Sequence, residues 1–139
     1  MKEYVLLRQN AAVPISGGEV LTRRQAFQPW EEASAFDIVQ PDVTKVGGIS
    51  EERRIAWMAD EHGVRFVPHG WNTAVGLAAD LPLVSAFPNT DLVEFCFGSP
   101  YIDELPERPW SLDAEGMLAI PSAPGLGLAL NMDAVEKYS

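Results

Sequence analysis

The sequence predicts an α/β fold built on a parallel sheet, and three observations carry that prediction. Short apolar runs recur along the chain, each ends at polar, Pro or Gly residues, and each leads into amphipathic helical material. The ionisable residues Glu19, Asp42, His69 and Glu94 follow, end or lie in successive runs, at spacings of 23, 27 and 25 residues, each about one βα unit. A length of 139 residues with 47% hydrophobic and 9% aromatic residues is enough for one hydrophobic core.

Taken in order, residues 1 to 11 read as the end of a helix that feeds a first strand at Ala12–Ile15. A helix over Thr22–Phe27 and Glu31–Ala35, split near Pro29, follows. The second strand is Ile38–Val39. After it, Ser50 is an N-cap candidate, Glu51 and Glu52 put negative charge in a first turn, and Ile55, Met58 and Ala59 make an apolar stripe that Gly63 closes. The third strand is Val64–Val67; Ala74, Val75, Leu77, Ala78, Leu81 and Val84 then repeat at helical spacing, with a break or kink expected at Pro82. The fourth run, Leu92–Phe95, also reads as a strand. From about residue 99 Pro, Gly and acidic residues dominate, with a short strand expected at Met117–Ile120. The division expected is a βα-rich part over 1–98 and a C-terminal packing segment over 99–139.

Charge excludes some partners. The net charge is -10, and residues 66 to 139 hold ten acids against two bases, which argues against nucleic acid and anionic membrane surfaces. No run approaches the roughly 18 to 20 apolar residues of a membrane span, and Met1–Tyr4 does not read as a signal peptide. The single cysteine, Cys96, has no partner for an internal disulfide and reads as a small buried apolar residue. A soluble cytoplasmic protein is the expectation.

In a parallel α/β sheet the C-terminal ends of the strands open on one face, where ligands bind, so Glu19, Asp42, His69 and Glu94 are expected to converge. Each also has an ordinary reading: Glu19 as a turn carboxylate after Gly17-Gly18, Asp42 as a turn or N-cap residue, His69 as a strand-end polar group. Glu94 between Val93 and Phe95 is costly as scenery, because a carboxylate in a buried strand needs a partner or a use. Val46-Gly-Gly-Ile-Ser50 before a helix also offers an anion site, without matching a dinucleotide or Walker pattern. Trp71 and Asn72, directly after His69, are expected to line a substrate pocket, with packing an equal reading for Trp71, and His62 reads as a helix-end surface histidine.

Four segments, Val13-Pro-Ile-Ser-Gly-Gly-Glu19, Gln40-Pro-Asp-Val-Thr-Lys-Val-Gly-Gly-Ile49, Val67-Pro-His-Gly-Trp71 and Leu92-Val-Glu-Phe95, resemble consecutive landmarks of the mandelate racemase branch of the enolase superfamily, as does the tail Ala119–Gly127. The resemblance implies the C-terminal part of a (β/α)8 TIM barrel, about three βα units plus a tail, with the run containing Glu94 as the third of the family strands present. It implies Glu19 as one carboxylate ligand of a catalytic Mg²⁺, His69 as a general base oriented by Asp42, and Glu94 as a hydrogen-bonding acid beside the intermediate. The muconate-lactonising branch carries a lysine base five residues before the Gly-Gly pair; Asp42 stands there instead, which favours the His-Asp subgroup and leaves Lys45 as a neighbouring structural or loop lysine. The activity implied is removal of the proton α to the carboxylate of a small hydroxy-carboxylate, as in an acid-sugar dehydratase, a racemase or a cycloisomerase.

The same resemblance shows what is lacking. The lysines are Lys2, Lys45 and Lys137, so the family's Lys-x-Lys motif is absent, as are two metal-binding carboxylates, and the chain alone is expected to be an inactive fragment. A partial barrel is expected to associate through its open edges, as a homo-oligomer or with a complementary barrel half. Two other readings compete: a non-catalytic assembly module, and an unrelated α/β domain holding an anion at Gly47-Gly48. The last is excluded if Glu19, Asp42 and His69 share a face with Asp42 in reach of His69.

Overall fold

The computed structural model describes residues 1–139. Three strands, β1 (Ser16–Gly17), β2 (Ile38–Val39) and β3 (Arg65–Phe66), form a parallel sheet in the order β1-β2-β3. The helices are α1 (Lys2–Asn10), α2 (Arg23–Glu32), α3 (Val43–Val46), α4 (Ile49–Glu61), α5 (Ala74–Ala86), α6 (Pro100–Asp103) and α7 (Met132–Lys137). Parallel neighbours require a crossover each time, and α2 and then α3–α4 supply it.

The core explains why these segments take these forms. Val39 and Phe66 from the sheet meet Phe27 of α2, Ile55, Ala56 and Ala59 of α4, and Leu83 of α5. The stripe read on α4 is therefore its buried face. Gly63, at φ +66, lets the chain leave α4 and enter β3. A second aromatic group pins α1: Tyr4 meets Trp30 and Phe36 edge-on with centroids 5.4 Å away, and Trp30 stacks on Phe36 at 5.1 Å.

Several expectations are corrected. The first strand begins after Ala12–Ile15, because only the Ile15 carbonyl joins the ladder, accepting from Asp37 and Ile38 N–H. Pro29 and Pro82 break nothing: α2 and α5 run through both. Proline removes one ladder bond, and packing around each helix holds the turn; Ala78, Ala79, Leu81 and Leu83 around Pro82 are all buried. Gly48, at φ +80, caps α4, and Ser50 lies one residue inside the helix. Met117–Ile120 is no strand, contributing only an isolated antiparallel bridge between Leu118 and Leu112. Cys96 is half-buried.

The largest correction concerns Leu92–Phe95, which forms no strand. The segment crosses against Gly70, where a Cβ would collide with the Glu94 carbonyl oxygen, and Gly70 N–H donates to the Glu94 carboxylate at 2.8 Å. Its attachment is thus made by a side chain and a missing Cβ rather than by a ladder, and Leu92 stays half exposed. The sequence pattern of three βα units holds for β1, β2 and β3 alone. No helix is long and apolar enough to cross a membrane.

Candidate active site

Pairing between β2 and β3 continues past the two-residue strands. Val67 N–H donates to the Val39 carbonyl at 3.1 Å and His69 N–H to the Pro41 carbonyl at 2.8 Å. That register sets His69 beside Asp42. His69 Nδ1 lies 3.1 Å from Asp42 Oδ2, and both residues are buried. On the other side, Gln40 N–H donates to the Gly17 carbonyl at 2.8 Å, which places the turn after β1 alongside; His69 Nε2 lies 2.7 Å from Glu19 Oε2.

Asp42 is the most heavily held group of the site. It is the N-cap of α3, with Oδ1 accepting from Thr44 N–H at 2.9 Å and from Thr44 Oγ1 at 2.5 Å. Its Oδ2, facing His69, is also 3.0 Å from Lys45 Nζ. Burial pushes the carboxyl up, but the hydrogen bonds from Thr44, Lys45 and His69 together outweigh burial and hold it below the usual carboxylate range. An ionised Asp42 favours the tautomer in which Nδ1–H points at it, and Nε2 is the ring nitrogen that faces Glu19.

Asp42 is thus both a helix cap and a hydrogen-bond partner of His69. Glu19 is 56% exposed in its side chain, so it stands at the open side of the ring. Glu94 joins the site through the backbone of Gly70, the residue after His69, rather than through the ring. Asn72 differs from the expectation for a pocket-lining residue: its Nδ2 donates to the His69 carbonyl at 3.2 Å and to Asp42 Oδ1 at 3.4 Å, and its Oδ1 accepts Thr73 N–H at 2.6 Å. Its polar atoms are committed to the chain. Trp71 is 70% exposed beside it. His62 sits at the end of α4, away from this cluster, 3.8 Å from buried Glu31.

Glu19, Asp42 and His69 therefore open on one face with Asp42 in hydrogen-bond reach of His69, which excludes the unrelated anion-binding reading. At Gly47-Gly48, Glu51 and Glu52 already occupy the first turn of α4. Residues 1–134 match the family described as enolase C-terminal domain-like. The chain belongs to that family. It is 36% identical over 145 residues to D-galactarolactone cycloisomerase of Agrobacterium fabrum, covering 97% of this chain and 38% of that protein. It is 34% identical over 134 residues to D-xylonate dehydratase of Haloferax volcanii, covering 96% and 32%. A solved mandelate racemase/muconate lactonizing enzyme from Sulfitobacter sp. superposes with a TM-score of 0.85 at 30% identity, covering 95% of this chain and 33% of that one. The chain spans about a third of the length of these relatives.

Three participants escaped the sequence reading. Lys45, expected as a structural or loop lysine, shares Asp42 Oδ2 with His69; its position three residues after Asp42 at the start of a helix is the available signal for that pairing. Glu52 and Asp80 are fully buried close behind Asp42. Asp80 stood in plain view inside the apolar run Leu77-Ala-Ala-Asp-Leu81, whereas Glu52 was indistinguishable from a solvent-facing first-turn acid.

Proposed function

We propose that this chain is the C-terminal catalytic portion of a Mg²⁺-dependent lyase or isomerase of the His-Asp subgroup, which removes the proton α to the carboxylate of an acid sugar. The observation that carries the reading is the ring of His69, held on Nδ1 by an ionised Asp42 while Nε2 faces the open side of the sheet. In this reading Nε2 takes the α-proton, Asp42 steadies the resulting imidazolium, and Lys45 and Thr44 keep Asp42 ionised and in place. Glu94, held by Gly70 N–H next to His69, is in this reading the hydrogen-bonding acid beside the intermediate. Reprotonation of the intermediate gives an isomer; loss of a β-hydroxyl gives dehydration. The dehydratase and cycloisomerase names of the relatives support a polyhydroxy acid as substrate.

The residues present do not by themselves make a Mg²⁺ site. No cluster of three or more His, Cys, Asp or Glu is placed to hold a metal, and Glu19 is one oxygen donor where such an ion takes six ligands. Mg²⁺ therefore belongs to this reading only in a completed barrel, with Glu19 as one ligand, and no step is assigned to it. The remaining carboxylates and a Lys-x-Lys motif must come from chain beyond these residues or from a complementary half. The span of about a third of the relatives' length supports that division.

The test joins this chain behind the N-terminal remainder of D-xylonate dehydratase and follows exchange of the α-proton of acid sugars in D₂O with Mg²⁺. Exchange by the joined protein, none by this chain alone, and loss of at least about a hundredfold in His69→Asn are expected. A folded joined protein in which His69→Asn exchanges as fast as the parent overturns the assignment of the base.

A further inference from the structure

Behind the dyad lies a feature the proposed chemistry does not use. Glu52, in the first turns of α4, and Asp80, in the middle of α5, are both 0% exposed. No N–H or O–H of the rest of the chain donates to any of their four carboxyl oxygens. Instead the two carboxyls lie against each other where α4 packs on α5. Two carboxylates only accept, so a bond between them exists only if the pair carries a proton. A bare carboxylate with neither water nor a donor is also among the most costly groups to bury.

The surroundings offer no cation. From α3 the pair is faced by Asp42, whose own charge is taken up by Lys45 and His69. On α2, Arg24 is paired with Glu51 and Glu31 faces His62; Arg65 of β3 is paired with Asp91; Asp103 of α6 accepts from Gly98. Of these, Asp42 is the group whose charge acts on the pair, and it raises both carboxyls further, after burial has done most of the raising.

We propose that Glu52 and Asp80 are positioning residues for the dyad: a proton-sharing carboxyl pair that clamps α4 to α5 behind Asp42 and lets go when it loses its proton. The shared proton limits the negative charge that stands behind Asp42. Asp42 caps α3, which packs on both α4 and α5, so separation of those helices moves the cap and with it Oδ2. The naming of His69 as the base rests on the proposed function, but the clamp itself does not.

Two measurements on the full chain, without metal or substrate, test it. Infrared difference spectra of the parent against Glu52→Gln/Asp80→Asn should show the carbonyl band of protonated carboxylic acid in the parent at pH 7, lost in the double variant. Proton NMR should show the downfield His69 Nδ1–H resonance, identified by its loss in His69→Asn, disappearing at lower pH in the parent than in the double variant, whose amides hold the helices together without titrating. Absence of the infrared band, or disappearance at the same pH in both proteins, overturns the proposal. Should the double variant not fold, Glu52→Gln alone serves for the resonance, and the band at pH 7 in a Glu31→Gln protein, lost on raising the pH, decides, because burial raises Glu31 itself to about 7. None of these readouts depends on turnover, so failure here leaves the proton-abstraction reading standing, and the reverse.

Discussion

Asp42 concentrates the roles that this sequence assigns to single residues. It caps α3, accepts from Lys45 and orients His69, so the substitutions Asp42→Asn and Asp42→Ala separate these roles. Asparagine keeps an acceptor for Thr44 and loses the charge; alanine loses all. We expect Asp42→Ala to cost about 3 kcal/mol in urea unfolding, because it strips a cap and leaves buried partners unpaired, and Asp42→Asn to cost about half as much. Because the Asp42 carboxyl is held below its ordinary range, its contribution is present above the unfolded carboxylate value and is lost as pH falls below it. Glu31 has the opposite sign. Burial raises it to about 7, with the charge of His62 opposing, so its contribution is full below the unfolded value of 4.5 and is lost as pH rises through about 7. Glu31→Gln should flatten the decline in stability between pH 5 and 8, measured by denaturant midpoint; an unchanged slope would remove Glu31 from the account. The asymmetry was legible for neither residue in the sequence, where both are acids beside turn or helix signals.

Strands and helices are unevenly legible in the sequence. Ile38–Val39 and the run around Arg65–Phe66 were found because both are apolar, short and bounded by turn residues. Leu92–Phe95 has the same local pattern and is not a strand, because a ladder needs a neighbour at the right distance and here the backbone meets Gly70 side-on. Gly70→Ala is therefore expected to displace residues 92–95 and break the hydrogen bond from the position-70 N–H to Glu94 while leaving the core intact; faster exchange of that amide than in the parent, with far-ultraviolet circular dichroism unchanged, is the readout. The prolines were misjudged for a related reason. A helix interior proline is penalised locally by about 3 kcal/mol, but α5 is buried along most of its length and α2 stacks Phe27 and Trp30 into the core. Ile55→Ala, at the centre of that core, is expected to cost about 3 kcal/mol of unfolding free energy.

For the molecule as a whole, the open sides of the sheet set its behaviour. Both β1 and β3 are edges of a three-stranded sheet, and Leu6, Leu7, Val13, Val20 and Phe97 are each at least half exposed. Apolar surface of this kind associates, so light scattering is expected to give a mass above the 15.2 kDa of one chain, falling when Leu6 and Leu7 are replaced by Gln; a purely monomeric parent at high concentration contradicts this. What the sequence alone determined was the class of fold and the order of its chemical groups, because apolar periodicity, turn residues and the even spacing of Glu19, Asp42 and His69 are local properties written along the chain. What only the tertiary structure decided was which groups touch. The β2–β3 register joined His69 to Asp42, the Gly70 crossing drew in Glu94, and helix packing turned Glu52 and Asp80 inward together; each depends on residues at least 24 positions apart meeting in space, and no local pattern encodes that distance.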